Sequence, residues 1–291
     1  MIKKDVAILI PVYKDSLDLL ERVSLNRCFS LWGKSHHIFF IKPESLNIDN
    51  ICSEFYPSEA ISFADNYFTD LAAYNRLMFS AGFYERFLDY KYIFIYQTDG
   101  YAFRDELDEW CAKDYDYIGA PWVPKDSYTR LYNRAFVSVR KAMNKFIGKP
   151  DRSQQYYEVG NGGVCLRKTE VFHKIATTDT ANIERYISNL GKSSMYNEDI
   201  YWSLAPKPEV SNQILSGKTF QLAKPDYKEA LRFSFDMNPS VCYRLNNNQL
   251  PFCCHSFSKP RFWKFWQQHI SPMLSWPNGH NQAVSNNLPS S

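Results

Sequence analysis

The sequence predicts an α/β protein built on one mostly parallel β-sheet with helices on both faces. Two observations lead to this fold class. Short apolar runs alternate with amphipathic helical segments through the first two thirds of the chain, which is the order expected for parallel strands joined by helical crossovers. The runs are also continuously apolar, as in strands that are buried on both faces of a sheet.

The individual elements follow from apolar spacing. Strands are predicted at residues 6–12, 36–42, 60–64, 92–96 and 117–120, with a further strand-like stretch, VCLRK, at residues 164–168. Helical spacing of leucines and valine predicts a helix within residues 15–31. A second, long amphipathic helix is predicted over residues 69–90, with Asp70 near its start.

Two segments interrupt this alternation. Residues 123–157 carry eight basic and two acidic side chains around an apolar stripe, which predicts a basic helical insertion. Ser258-Lys259-Pro260 predicts the start of an aromatic, basic helix within residues 258–271, and Pro272 ends it. One domain is therefore predicted over residues 1–277, followed by a polar, disordered tail at residues 278–291.

Composition narrows the function classes. Of 291 residues, 45% are hydrophobic and 22% charged, which excludes disorder along the whole chain. The formal net charge of +3 is too small to indicate a nucleic-acid partner. The seven cysteines form no C-x-x-C pair, which favours reduced thiols. The apolar run at residues 6–12 is too short for a signal peptide or a membrane span, so a cytoplasmic protein is expected.

Ligands of open α/β sheets bind beyond the carboxyl ends of the strands, so polar residues that follow the predicted strands are candidates for chemistry. Tyr13 follows the first strand, and Gln97-Thr98-Asp99-Gly100 follows the most apolar one. A carboxylate at this position can bind a metal or a phosphate-bound cation through its oxygens. Asp-Gly is also a common turn pair, so a turn is the alternative interpretation of Asp99.

Three further clusters carry groups suited to binding or proton transfer. In the stretch EVGNGGV, residues 158–164, the glycines either let the backbone pass close to a ligand or form a tight turn. Glu198 and Asp199 are adjacent acids before an apolar helix, and they are either helix N-terminal acids or contain a general base. His255 ends a strand-like run, where a histidine is either structural or a ligand.

The ordered set of motifs resembles the GT-A glycosyltransferases. The set is Ile10-Pro11-Val12-Tyr13, Tyr74-Asn75-Arg76, Gln97-Thr98-Asp99, Gly160-Asn161-Gly162-Gly163, Asn197-Glu198-Asp199 and Cys254-His255, and it spans roughly residues 5–266. Among these enzymes the chain looks most similar to a bacterial family that carries a domain-of-unknown-function label and occurs in polysaccharide gene clusters. The resemblance implies a GT-A-like (Rossmann-like) fold and sugar transfer from a nucleotide-sugar donor.

The resemblance also implies roles for single residues. In GT-A enzymes a D-x-D motif and a C-terminal histidine bind a divalent metal, Mn²⁺ or Mg²⁺. Asp99 and His255 match these positions, and Gln97 stands where the first acid is expected. Asp199 matches the general base of inverting members, with Glu198 as a structural or acceptor-binding neighbour. The residues implied in nucleotide-sugar binding are Pro11, Tyr13, Asn75, Arg76, Gln97, Thr98, Asp99, Gly162 and Gly163.

Two other function classes stay open on sequence grounds. The incomplete D-x-D motif at Gln97 is compatible with a catalytically inactive nucleotide- or glycan-binding protein. A nucleotidyltransferase shares the sheet architecture, but the segment Pro11-Val12-Tyr13-Lys14 lacks the glycines of the loop that this class carries after its first strand.

The acceptor and the place of action are predicted from the basic segments. Basic residues beside aromatic rings, as in residues 123–157 and 258–271, are typical of a surface that lies on an anionic membrane. The expected acceptor is a glycan or a polyprenyl-diphosphate-linked sugar of bacterial surface polysaccharide synthesis, used at the inner face of the membrane. The alternative is that the insertion caps the active-site cleft and the aromatic rings pack on the sheet.

Overall fold

The computed structural model describes residues 4–125, 131–147, 151–206 and 221–270. Its strands are β1 (Lys4–Pro11), β2 (His37–Pro43), β3 (Glu59–Phe63), β4 (Tyr90–Tyr96), β5 (Tyr101–Ala102), β6 (Tyr117–Gly119), β7 (Val164–Lys168), β8 (Ser234–Phe235) and β9 (Cys253–Cys254). Six of them form one sheet in the order β3-β2-β1-β4-β7-β6, and three form a small sheet in the order β5-β9-β8.

The central sheet is mostly parallel, as predicted. Strands β1 to β4 run parallel to one another, whereas β7 runs antiparallel to both β4 and β6. Successive side chains of β1 enter different cores: Ile8 packs on one face of the sheet and Leu9 on the other. Both faces are therefore covered, which explains why the strands are continuously apolar.

Helices cover the two faces and the end of the sheet. They are α1 (Leu19–Trp32), α2 (Asp49–Glu54), α3 (Leu71–Phe79), α4 (Ala81–Glu85), α5 (Leu107–Ala112), α6 (Leu131–Phe146), α7 (Thr169–Thr178), α8 (Thr180–Ile187), α9 (Glu198–Leu204), α10 (Tyr227–Phe233), α11 (Pro239–Leu245) and α12 (Pro260–Ile270). Asp18 and Glu21 form a capping box that starts α1. Asp70 caps α3 through a 2.7 Å hydrogen bond from the Ala73 amide.

The single helix predicted over residues 69–90 is wrong, because the chain breaks at Ser80. Ser80 has extended backbone angles, ending α3 and starting α4. The Met78 carbonyl, left over in the last turn of α3, accepts a 2.7 Å hydrogen bond from the Tyr84 hydroxyl. This side-chain bond replaces one that a continuous helix would have made in the backbone.

The predicted C-terminal helix is present as α12, and three of its four phenylalanine and tryptophan rings are buried. Phe262, Trp263 and Trp266 are buried in a core shared with the small sheet. For this helix the structure therefore shows the alternative, in which the rings pack on the fold. The predicted tail at residues 278–291 lies outside the described residues.

The basic insertion contains α6, a helix between β6 and β7.

All seven cysteines are free thiols, as expected. Within the part of the chain that the structure describes, no helix is both long and apolar enough to span a membrane.

Candidate active site

The predicted metal residues meet where the two sheets join. Gln97 to Gly100 form a turn after β4, closed by a 2.8 Å hydrogen bond from the Gly100 amide to the Gln97 carbonyl. Strand β5 follows this turn and pairs with β9, directly before His255. Asp99 Oδ1 consequently lies 3.0 Å from His255 Nε2. The turn interpretation of Asp99 is confirmed, and the same turn aims its carboxylate at the histidine.

Oxygen atoms surround both nitrogens of the His255 ring. Gln97 Oε1 lies 3.1 Å from Nε2, and Asp236 Oδ1 lies 3.0 Å from Nδ1. Burial alone would lower the pKa of His255, but the carboxylates of Asp99 and Asp236 outweigh it and raise this pKa to about 10. Burial opposes ionisation of Asp99 too, yet His255 and, more weakly, Lys259 hold its pKa below the ordinary value.

Asp236 was not among the residues predicted from sequence. It follows the two-residue strand β8, which runs parallel to β9, and its Oδ2 accepts a 3.2 Å hydrogen bond from Asn161 Nδ2. The one signal that could have found it is a carboxylate directly after the apolar run Phe233-Ser234-Phe235. A two-residue strand has too little periodicity to be recognised.

A metal ion held at this point would be bound by a carboxamide as well as by an acid. The described residues contain no cluster of three or more His, Cys, Asp and Glu side chains that could hold a metal. Gln97 Oε1 and Asp99 Oδ1, however, both lie within 3.1 Å of His255 Nε2. One imidazole nitrogen and two oxygens are donor types that Mn²⁺ accepts, and Asp236 on Nδ1 occupies the place of the carboxylate that commonly orients a metal-binding histidine.

The glycine cluster passes between the two halves of the site. One half is the Asp99–His255 contact, and the other contains Glu198 and Asp199. A Cβ atom on Gly163 would lie 2.2 Å from His255 Nε2, and one on Gly162 would lie 2.4 Å from Glu198 Oε1. Neither position has room for a side chain. The Gly163 carbonyl accepts a 3.0 Å hydrogen bond from the Gln97 amide, which fixes the loop to the end of β4. The close approach predicted for this backbone is therefore to protein side chains.

The second half of the site contains a buried ion pair. Arg167 on β7 is fully buried, and its Nη2 donates a 3.0 Å hydrogen bond to Glu198 Oε1. Its Nη1 donates to the Tyr84 hydroxyl at 2.8 Å. The Glu198 amide donates to Asn75 Oδ1 at 2.6 Å, which anchors the start of α9 to α3. Glu198 is thus held inside the protein by a charged partner.

Asp199 faces a cavity instead. This cavity has a volume of about 520 Å³ and is lined by Asp199, Asp236 and Asn161 on its inner side. Burial, followed by the charge of Glu198, raises the pKa of Asp199 to about 8. Exposed cations also line the cavity: Lys125, Arg152 and Arg261.

A second cavity of about 330 Å³ lies on the other side of Gln97. Its walls are mainly ring and aliphatic surfaces, with Tyr13, Phe68, Leu71 and Tyr74 beside Asp70 and Gln97. Tyr13 and Tyr74 meet edge to face, with ring centroids 6.4 Å apart. The cavity is thus a flat-sided slot that adjoins the Asp99–His255 contact through Gln97.

Some predicted donor-binding residues lie away from these cavities. Pro11 is buried at the end of β1, and the Asn75 side chain is taken up by Glu198 and by the Leu71 carbonyl. Thr98 donates a 3.0 Å hydrogen bond to Glu21 on α1. Arg76 is partly buried and forms no ion pair with the described residues. Direct roles for these four in donor binding stay predictions.

The order of the strands and helices gives the chain the fold of GT-A glycosyltransferases. A structure of the galactosyltransferase LgtC, in complex with donor and acceptor sugar analogs, matches 95% of this chain and 99% of its own length, with a TM-score of 0.56 and 13% identity. An active-site mutant of LgtC matches 94% and 98%, with a TM-score of 0.51 and 12% identity.

The sequence itself places the chain in a family. The model of DUF5672, described as a protein of unknown function, matches residues 57–255, and the chain belongs to this family. No curated protein sequence matches the chain.

Proposed function

We propose that the protein is a glycosyltransferase that moves a sugar from a nucleotide-sugar donor to an acceptor hydroxyl. The observation that carries this proposal is the Asp99–His255 contact beside a cavity that contains Asp199. Sugar transfer needs charge stabilisation on a departing diphosphate and a base for the acceptor proton. The half that contains Asp99 and His255 would serve the diphosphate, and the half that contains Asp199 would supply the base.

The donor would lie across Gln97. The slot lined by Tyr13, Tyr74, Phe68 and Leu71 has the aromatic and aliphatic walls that suit a nucleobase. Its diphosphate would then reach the Asp99–His255 contact, where Lys259 Nζ lies 3.8 Å from Asp99 Oδ2 and adds positive charge. The sugar would extend towards the larger cavity, where Asp236, the partner of His255, is one of the lining residues.

A divalent metal fits this arrangement. Gln97, Asp99 and His255 would hold it through two oxygens and one nitrogen. When bound, it would supply the positive charge that stabilises the departing diphosphate. Asp236 orients the imidazole by accepting the Nδ1 proton at 3.0 Å, which directs Nε2 towards Asp99 and Gln97.

Asp199 is proposed as the general base. As the acceptor oxygen forms its bond to the anomeric carbon, the hydroxyl proton passes to the Asp199 carboxylate and the bond from sugar to diphosphate breaks. The raised pKa of Asp199 makes the carboxylate a stronger proton acceptor near neutral pH. Attack from the face opposite the leaving group inverts the anomeric configuration.

The cavity also indicates the kind of acceptor. Lys125, Arg152 and Arg261 line the cavity and form no ion pair with carboxylates of the described residues. Unpaired cations around a catalytic cavity suit an acceptor with phosphate groups. This supports a polyprenyl-diphosphate-linked acceptor of surface polysaccharide synthesis.

Donor hydrolysis across a panel of UDP-, GDP-, dTDP- and CMP-sugars tests the proposal, with and without Mn²⁺ or Mg²⁺. We expect turnover with one nucleotide class, loss of that turnover in Asp199→Asn, and an inverted anomeric product by NMR. Nucleotide binding with no hydrolysis and no transfer to any acceptor would instead establish an inactive binding protein.

A further inference from the structure

The helix α6 presents its apolar side to solvent. Four large apolar residues of the helix and one directly after it are 59% to 92% exposed. They follow helical spacing and therefore form one continuous stripe. The stripe consists of Phe136, Val139, Met143 and Phe146, continued by Ile147 just beyond the helix. In a globular protein such a stripe normally faces the core, so an outward stripe of this size marks a contact surface.

The opposite side of α6 is the one that faces the protein. Val137, Ser138 and Lys141 line a small cavity of about 230 Å³ shared with the segment that carries Glu158. Lys141 Nζ lies 2.7 Å from Glu158 Oε1, and Arg140 Nε lies 2.7 Å from Asp151 Oδ2. The Lys141 pair holds the helix by the side that faces the protein, and Arg140 forms its pair from beside the stripe. The stripe residues line neither this cavity nor the one that holds Asp199.

All the charged residues of the helix are basic. Within Leu131–Phe146 the sequence contains Arg134, Arg140, Lys141 and Lys145 and no acidic residue. An exposed apolar stripe on a helix rich in lysine and arginine has the composition of helices that lie in the interface of an anionic bilayer. The apolar side chains enter the acyl boundary while the basic ones meet phosphate headgroups.

We propose that α6 docks the protein on a bilayer surface that contains anionic lipids. A second copy of the chain is a poorer occupant, since a two-fold contact through α6 would bring two helices of net charge +4 together. Closure of α6 over the catalytic cavity would leave the stripe outside, because Val137, Ser138 and Lys141 already face inward.

Docking through α6 would also place the catalytic cavity next to the membrane. The segments on both sides of α6, which contain Lys125 and Arg152, line the cavity that holds Asp199. This consequence rests on the proposed function, because it matters only if an acceptor enters there. Docking itself does not rest on the proposed function, and binding to vesicles can be measured without turnover.

Co-sedimentation of the full chain with vesicles tests the proposal, comparing phosphatidylcholine alone with phosphatidylcholine that contains one third phosphatidylglycerol. We expect binding to the anionic vesicles that weakens as salt rises. The triple variant Val139→Ser/Met143→Ser/Phe146→Ser should bind about tenfold more weakly, since three exposed apolar side chains lose contact with the bilayer. Its thermal unfolding should match the wild type, because these side chains pack little.

The matched control is Leu19→Ser/Tyr56→Ser/Leu245→Ser, which removes three exposed apolar side chains elsewhere and should bind like the wild type. Charge is tested by Arg140→Gln, beside the stripe and 58% exposed, which should weaken binding to anionic vesicles only. Equal binding of all variants, or no binding of the wild type, overturns the proposal. A dimer that dissociates only in the α6 triple variant, with no vesicle binding, also overturns it and assigns the stripe to a second copy.

Discussion

Two aspartates on opposite sides of the glycine loop have opposite electrostatic environments. Asp99 faces the cationic groups His255 and Lys259, which hold its pKa below the ordinary value despite burial. Asp199 is partly buried beside the charge of Glu198, and its pKa rises to about 8. Asp99 is thus kept ionised for binding positive charge, whereas Asp199 is poised to take a proton.

The difference shows that neighbours, more than residue type, assign the roles. Glu198 sits next to Asp199 in sequence, but its carboxylate is paired with the buried Arg167. That pairing leaves Asp199 as the acid that faces the cavity. Changing one aspartate at a time should therefore give different losses.

The largest effect is expected for Asp199→Asn. The amide keeps the shape but accepts no proton, so kcat should fall by about 10²–10⁴ while donor binding is retained. Steady-state kinetics and titration with the nucleoside diphosphate measure the two quantities. The companion variant Glu198→Gln should instead lower thermal stability, because it weakens the pairing with buried Arg167. If Glu198→Gln folds normally and shows the kcat loss, while Asp199→Asn does not, the two roles are reversed.

The raised pKa of Asp199 also predicts two pH dependences. As a base that must be ionised, Asp199 should make kcat/KM rise about tenfold per pH unit below about 8 and level off above it. The free energy of unfolding should instead decrease as pH rises. The folded state holds the proton more tightly than the unfolded chain, so this contribution is present at acid pH and is lost as pH rises through about 8. The melting temperature of the wild type minus that of Asp199→Asn should therefore decrease from pH 5 to pH 9. A difference that stays constant over this range would contradict the raised pKa.

A somewhat smaller loss is expected for Asp99→Asn. Weakening one charged oxygen next to the departing diphosphate should lower kcat by about 10²–10³. The fold should persist because the Asp99 side chain is 25% exposed and belongs to no apolar core. Asp108→Asn is the matched control, since Asp108 also contacts a histidine, His36, at 3.0 Å but on the surface. Equal activity of Asp99→Asn and Asp108→Asn would remove Asp99 from the mechanism.

Most of the sheet was predictable because buried strands leave a strong local signal. The apolar runs at residues 92–96 and 6–12 appear as β4 and β1, within two residues at each end. The Asp99–His255 contact was expected from the ordered motifs, and the structure places the two side chains 3.0 Å apart. Their metal role stays a prediction.

The residues that surround the site could not be predicted in the same way. Asp236 reaches His255 through β8 and β9, two-residue strands whose pairing joins distant parts of the chain. Arg167 lies in an apolar strand, where sequence gives no sign that a charge is paired with Glu198. Both depend on tertiary contacts that no local pattern encodes.

A moderate effect is expected where the two halves meet. In Gly163→Ala the new Cβ would lie 2.2 Å from His255 Nε2, so the imidazole must move. We expect about tenfold lower kcat and a loss of about 1–3 kcal/mol in the free energy of unfolding. Gly82→Ala in α4 is the control, because its Cβ would meet nothing closer than 3.6 Å, and alanine favours a helix. Similar losses in both variants would show that the approach to His255 is unimportant.

The smallest effect is expected for Tyr13→Ala, which removes one wall of the slot beside Gln97. If a nucleobase packs there, the Kd of the nucleoside diphosphate should rise about five- to tenfold, because one aromatic contact is worth about 1 kcal/mol. The kcat with saturating donor should stay nearly unchanged, since Tyr13 lies on the far side of Gln97 from Asp199. Tyr13→Phe should restore binding, because the ring supplies the contact. Tyr56→Ala, at an exposed tyrosine outside both cavities, should have no effect. Unchanged affinity in Tyr13→Ala would move the nucleobase out of this slot.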